Sequence, residues 1–569
     1  MEALSSVSPT ISTSQPGRGR ALSFTAERCV AAVLVVALIA WKIFAALHYR
    51  VDSDEPQHLH VVWGWANGFL QYRDLFDNHS PLFQMLCAPL FRALGERADI
   101  LVPMRLAMIP LFFLSLWCIY KIGARLWNPL GGWIAAALTA VAPTFFYSTT
   151  EFRTDDLWGA LWMVALLIFA SGEFNSKRAF WFGLTLGAAF ATSMKTSLLA
   201  GSLAIAALAV LGFRRIAGER FDLAKILTPL VLAIAGALII PTVLVAFFAA
   251  KGALPQMIYC VIQHNALPGL GKLGKLGFHE FIFPLVLPLL LLPGWLYFCS
   301  HNDRRIGAQR ATIMMAAGIY MAFLRSYWPL VTVQDWIPFL PMFFLAVTPL
   351  ILAIGNWCAR FHPALRFALP TLLVALEICF CYRVSPFSKD DLTPNTRHLA
   401  ELLKLTDPGQ YVMDAKGDSI FRPRPFYWVL EGVTIARMHR GLIADDLPQA
   451  LIKTSTCVVS PRRLSEVDYA FIDNNYIRIA EHLLVAGKSL GDIKAGETVT
   501  FQTLWPARYK ITCQDGTLKG TLDGEPLHGA FTLPPGTHAL QLSNGAKQVA
   551  LVWAQALERG FTPFSGKHK

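Results

Sequence analysis

Long apolar runs recur over the first two thirds of the chain. Each is near the roughly 20 residues that a membrane-spanning helix needs. They fall at about 28–48, 101–121, 129–147, 157–171, 180–194, 197–213, 226–249, 281–300, 312–330, 336–355 and 363–383, which predicts about eleven crossings. A Ser/Thr/Pro-rich stretch over 1–27 precedes the first run and reads as a disordered cytoplasmic tail. No small-residue cleavage site follows that run, so it is read as a retained anchor. After about residue 384 the pattern changes. From 384 to 490, short apolar strands such as Tyr469-Ala-Phe-Ile-Asp473 mix with helical stretches around 396–405 and 445–453, predicting a small α/β domain. From 491 to 569, alternating strands are broken by Asp515-Gly516, Asp523-Gly524, Pro534-Pro-Gly536 and Asn544-Gly545. Those are hairpin-type turns, so a compact β-sandwich is expected.

Composition supports the membrane reading. Hydrophobic residues make up 54% of the 569 residues and charged residues 15%, far from the balance of a soluble globule. The net charge of +12 does not gather into the single stripe that nucleic acid requires. It falls instead in alternate loops, at Lys121 and Arg125, Lys177 and Arg178, Arg214, Arg215 and Arg220, Arg304, Arg305 and Arg310, and Arg360. That asymmetry marks the cytoplasmic side. An odd number of crossings then leaves everything after 384 outside. Cys379 and Cys381 lie in an apolar run and read as small hydrophobes. Cys457 and Cys513 fall in the exported region, where a disulfide between them is open.

The first external loop, about 49–100, carries most of the candidate chemistry. It opens with Asp52-Ser-Asp-Glu-Pro56. Pro56 suits the first turn of a helix, which sets Asp54 and Glu55 at a helix N-terminus where backbone N–H groups favour carboxylates. Capping alone would account for an isolated acidic pair. The helix that follows, to about Leu70, carries Trp63, Trp65 and Phe69 and is expected to lie flat at the membrane interface. The loop continues through Gly68-Phe-Leu-Gln-Tyr-Arg-Asp74 and Asp77-Asn-His-Ser-Pro-Leu82. The next external loop holds Glu151-Phe-Arg-Thr-Asp-Asp156. Lys195 sits between two apolar runs, at the outer boundary. At the bilayer centre it would cost roughly 2.5–3.5 kcal/mol, so a snorkelling lysine is its bland reading. Further on come Arg325-Ser-Tyr-Trp-Pro329 and Gln334-Asp-Trp-Ile-Pro338.

This order of elements resembles the GT-C glycosyltransferases, in particular the branch with protein O-mannosyltransferases and the transferases that add aminoarabinose or galacturonic acid to lipid A. The resemblance covers about 28–383. It implies a membrane all-α GT-C fold followed by an external α/β plus β-sandwich region. Asp54-Glu55 occupies the family's acidic motif, Tyr72 its Gly-x-x-x-Tyr-x-Asp element, and Asp155 its second acidic position. His79 stands where many relatives carry a lysine. The segments Leu522-Asp-Gly-Glu525 and Leu533-Pro-Pro-Gly-Thr-His538 also resemble the small β-domains called PEGA.

The activity implied is transfer of a sugar from a polyprenyl-phosphate donor to a lipid A, polysaccharide or protein acceptor, at the outer face of a bacterial inner membrane. Such transfer needs a carboxylate to take the acceptor hydroxyl's proton and cations to stabilise the phosphate that leaves. The expected roles are Asp54 as base, Glu55 and Asp155 in support, Lys195 or Arg325 on the phosphate, and Tyr72 and His79 in substrate contact. No ligand spacing argues for a metal, although a divalent ion bridging acid and phosphate stays open. The rival class is a lipid or glycan transporter or flippase, which predicts charges at the bilayer midplane and repeat-related halves; neither is present. Gly269-Leu-Gly-Lys-Leu-Gly274 fits G-x-G-x-x-G by letter, but no strand precedes it. A flexible loop is expected there, with Lys272 and Lys275 near lipid headgroups.

Overall fold

Ten of the eleven apolar runs are mainly helical in a computed structural model of the chain, as backbone in a bilayer must be to satisfy its own polar groups. The structure describes residues 18–220, 222–267, 303–328, 330–387, 390–462, 464 and 466–564. The run at 281–300 and the glycine-rich segment at 269–274 lie outside them. Among the described residues, five helices are long and apolar enough to cross a membrane: Leu101–Leu126, Thr196–Ile216, Ala224–Ala250, Val333–Cys358 and Pro363–Arg383.

Helix α1 (Arg18–His48) leads into α2 (Glu55–Ala66) and α3 (Leu82–Leu94) of the first loop. The run at 101–121 is α4 (Leu101–Leu106) and α5 (Ile109–Leu126). The run at 129–147 breaks into α6 (Pro129–Val141) and α7 (Pro143–Ser148). Pro143 explains the break, because it forces extended backbone on Ala142 (ψ 121°). Helices α8 (Thr154–Ala170), α9 (Ser176–Thr192), α10 (Thr196–Ile216) and α11 (Leu223–Ala250) follow.

Helix α9 lies along α11 through small residues. A Cβ on Gly183 would meet the Ala233 carbonyl, one on Gly187 the Ala237 carbonyl, and one on Gly236 the Phe180 carbonyl. Lipid offers no hydrophobic push between helices, so this backbone approach is where their packing attraction comes from. Gly183→Leu is therefore expected to lower the melting temperature of the detergent-purified protein, at a cost of about 1–3 kcal/mol or more. An unchanged melting curve would show that the two helices are held elsewhere.

The C-terminal region, after residue 390, contains two sheets. In the larger, β1 (Val412–Met413), β2 (Val458–Val459), β4 (Leu483–Ile493), β11 (Ala546–Trp553), β6 (Ala507–Thr512) and β9 (Phe531–Leu533) are neighbours in that order. Strand β3 (Tyr476–Ala480) also pairs with β4. The smaller sheet is β5 (Thr498–Thr503), β10 (Gly536–Leu542), β7 (Gly520–Leu522) and β8 (Glu525–Pro526). Asp523 and Gly524 form the two-residue β7–β8 turn, both at positive φ (52° and 88°), as that hairpin requires.

Two expectations change here, and one open pairing is resolved. The division at 490 falls inside β4, which pairs with β2 at Val485 and with β11 from Gly487 to Ile493. Val485, Leu551, Phe501 and Leu540 share one core across both sheets. Tyr469–Asp473 lies in a helix, Glu466–Asn475, because so short an apolar run has no period that separates strand from helix. Cys457 and Cys513 are both free thiols.

Helix α2 is packed inside the protein instead of presenting a free face. Every residue in it except Trp65 is buried. Leu59, Val62 and Trp63 share one core with Phe83 and Met104 and with Leu399, Ile420 and Phe421 of the C-terminal region. Buried Arg422 makes a two-pronged bond to Glu96 at 2.8 and 2.9 Å, and His60 Nδ1 lies 3.0 Å from the Ile420 carbonyl. The first loop is thus clamped between the helical bundle and the C-terminal region.

Candidate active site

The clamp encloses a cavity of about 230 Å³, bordered by Asp54, His79, Arg153, Lys195, Lys416 and Glu431 among others. Asp54 precedes α2, and Arg153 and Asp155 stand at the start of α8. Lys195 is the residue before α10. Three helix N-termini therefore aim their acidic or basic residues at one space, and N-terminal dipoles favour the acidic ones.

Arg153 is the hub. Its guanidinium binds Asp52, Asp54 at 2.7 Å and Asp155 at 3.1 Å. Lys195 bridges Asp335 and, at 3.6 Å, Asp155. Lys416 Nζ lies 2.6 Å from Asp54 Oδ1. Burial alone would raise the Asp54 carboxyl, but Arg153 and then Lys416 hold it well below the usual carboxylate range. Lys195 loses some affinity for its proton to burial and regains more from Asp335 and Asp155, so it stays charged. Burial, with Asp52 and Glu55 adding to it, pushes Glu151 up to about 8. Glu151 is then neutral at pH 7 and adds no net charge beside Arg153.

Asp77, fully buried, sits at the centre of a second network. It accepts hydrogen bonds from the side-chain amides of Gln57 (3.1 Å), Gln71 (2.7 Å) and Gln84 (3.1 Å), and it pairs with His79 Nδ1 at 2.7 Å. Burial works against charge on His79, yet Asp77 more than offsets it, so its pKa is raised above 6.5. A histidine raised by its partner contributes stability in full below about pH 6.5 and loses it as the pH climbs through the raised value. Melting temperature should therefore fall with rising pH across that window. In Asp77→Asn that part of the slope should vanish; an unchanged slope would assign it to another group.

The expected site residues divide. Asp54, Asp155, Lys195 and His79 surround or adjoin the one cavity. Glu55 does not reach it. It is fully buried, and its oxygens take Arg105 at 2.7 and 2.5 Å, the Phe152 N–H at 2.6 Å and the Asp52 N–H at 2.9 Å. Tyr72 is also fully buried, at φ +73°, and its hydroxyl donates to the His79 carbonyl at 2.7 Å. It braces the loop behind the cavity. Arg325 is not among the residues that line the cavity, and its guanidinium lies 6.0 Å from the Trp336 ring centroid.

Sequence reasoning did not single out Arg153, Asp335 or Lys416. An arginine between Glu151 and Asp155 was a legible signal for the first, and Asp335 lay in a quoted segment. Lys416 had no local signal. Among the described residues, no group of three or more His, Cys, Asp or Glu side chains is placed to hold a metal ion.

Residues 78–245 match the family model described as dolichyl-phosphate-mannose-protein mannosyltransferase. No curated protein matches the chain. Among solved structures, the chain is similar to ArnT from Cupriavidus metallidurans in the apo state, with 14% identity and a TM-score of 0.54, over 81% of this chain and 98% of that one. It is also similar to the same protein bound to undecaprenyl phosphate, with 14% identity and a TM-score of 0.50, over 80% and 97%. The sequence match over 78–245 and the fold shared with ArnT together make this multi-pass chain similar to the GT-C glycosyltransferases.

Proposed function

We propose that this chain moves a sugar from a polyprenyl-phosphate carrier to a hydroxyl of a lipid A, polysaccharide or protein acceptor, at the outer face of a bacterial inner membrane. The observation that carries the reading is the convergence of Asp54, Arg153 and Lys195, from three separate loops, on one cavity, with Asp155 paired to both cations. That one similar structure holds undecaprenyl phosphate supports the carrier class.

In this reading Asp54 takes the proton of the acceptor hydroxyl. The freed oxygen lone pair forms a bond to the anomeric carbon, and the bond from that carbon to the phosphate oxygen breaks. Its electron pair leaves on the phosphate, facing Lys195 and His79. Asp155 orients Arg153 and Lys195 rather than reacting. Charges already fixed in place by the fold need little reorganisation as charge moves from acceptor to phosphate.

The test is transfer of labelled sugar from polyprenyl-phosphate donors in membranes holding wild type or Asp54→Asn at matched expression. Wild-type transfer that the variant loses supports both enzyme class and base. Equal transfer removes Asp54 from the mechanism, and no transfer from a panel of such donors counts against the class.

A further inference from the structure

The C-terminal region contributes a charge to the cavity from strand β1. After Met413 the chain makes a tight loop around buried Asp414, whose carboxylate takes the Ser419 N–H at 2.9 Å, the Ser419 hydroxyl at 2.6 Å, the Gly417 N–H and Arg424 Nε at 3.1 Å. Gly417 is at φ +83° and sits on α2 so closely that a Cβ would lie 2.8 Å from His60 Cβ and 3.3 Å from the Pro56 carbonyl. Loop and helix are therefore fitted to each other, and the product of that fit is one side chain. Lys416 reaches Asp54 at 2.6 Å and Ser53 Oγ at 3.3 Å.

The three cations of the cavity are not equally committed. Arg153 answers Asp52, Asp54 and Asp155, and Lys195 answers Asp155 and Asp335. Withdrawing either would strand buried carboxylates, which is strongly unfavourable. Lys416 answers Asp54 alone, and Asp54 would keep Arg153 if Lys416 turned away. A lysine is also a compact charge on a flexible stem and can swing between anions. Lys416 is the cation that can change partner most cheaply.

Building on the glycosyltransferase reading, we propose that Lys416 is the C-terminal region's ligand for the donor phosphate, and that it leaves Asp54 for that phosphate when the donor binds. The exchange links two events. The arriving phosphate gains a charged donor, and Asp54 loses one of the two cations that suppress its basicity. The base is thereby strengthened only when a sugar donor is present.

The test uses the full chain purified in detergent, with undecaprenyl phosphate as probe, comparing wild type, Lys416→Gln and Lys416→Arg. Loss of a charge-assisted contact should weaken carrier binding about 10- to 100-fold in Lys416→Gln, with Lys416→Arg recovering most of it. A second readout separates this from a structural role. The pH dependence of kcat/KM reports the free enzyme and that of kcat the complex. The acidic limb of kcat/KM should move to higher pH in Lys416→Gln, while that of kcat stays in place. A third readout needs no variant: undecaprenyl phosphate should slow acetylation of Lys416 in the wild type, read by mass spectrometry. Wild-type binding that Lys416→Gln retains in full, or acetylation that the carrier does not slow, overturns the role of Lys416 and leaves the glycosyltransferase reading standing. A wild type that does not bind the carrier overturns both.

Discussion

Asp54→Asn is expected to transfer sugar about 10²–10⁴-fold more slowly than the wild type, the usual contribution of a positioned base. The fall should appear in kcat as well as kcat/KM, because the group acts in the reaction itself. The amide keeps the shape of the carboxylate and one acceptor oxygen for Lys416, but it cannot take a proton. Folding should survive. Arg153 retains Asp52 and Asp155, and the side chain of Lys416 is 12% exposed, at a cavity where water can hydrate it. Asp54→Glu should recover part of the rate, since it restores a carboxylate about one methylene out of place. Initial rates on protein of matched melting temperature decide the matter; an Asn variant within threefold of wild type would exclude Asp54 as base.

Arg105→Leu should instead remove the fold. Glu55 and Arg105 form a two-pronged ion pair whose side chains are both 0% exposed. Arg105 also donates to the carbonyls of Tyr49 at 2.9 Å and Arg50 at 2.6 Å. The pair ties the end of α1, the start of α2, α4 and the second loop through the Phe152 N–H. Breaking a buried pair from one side leaves an uncompensated charge and costs about 3–5 kcal/mol. That is a large part of the roughly 5–15 kcal/mol by which a domain is stable. Removing both charges together, in Glu55→Gln with Arg105→Met, should cost much less than Arg105→Leu alone. Thermal melts of the single and double variants test this, and a single variant as stable as the double would show that the pair is not what joins these segments.

The contrast between neighbouring Asp54 and Glu55 shows where local reading stops. Both sit at one helix N-terminus, and an acidic pair after a membrane run marks the place. Nothing local says that Asp54 opens onto a cavity while Glu55 turns inward to Arg105, 50 positions away. The tyrosine of Gly68-Phe-Leu-Gln-Tyr-Arg-Asp74 behaves in the same way. Its position was readable, but its hydroxyl goes to the His79 carbonyl and its contact with substrate is closed off by burial.

By itself the sequence determined the broad class, the apolar runs and the loops whose charged side chains meet around the cavity. These rest on interactions that act along the chain: the cost of polar backbone in lipid sets helix length, and the bias of arginine and lysine sets which loops share a face. Asp54, Asp155 and Lys195 followed from that shared face. Tertiary structure alone decided the partners. Lys416 meets Asp54 across 362 positions, and β4 joins two stretches that composition divides at 490. Contacts of that kind arise from shape and charge brought together by the whole fold, so no window of residues carries them.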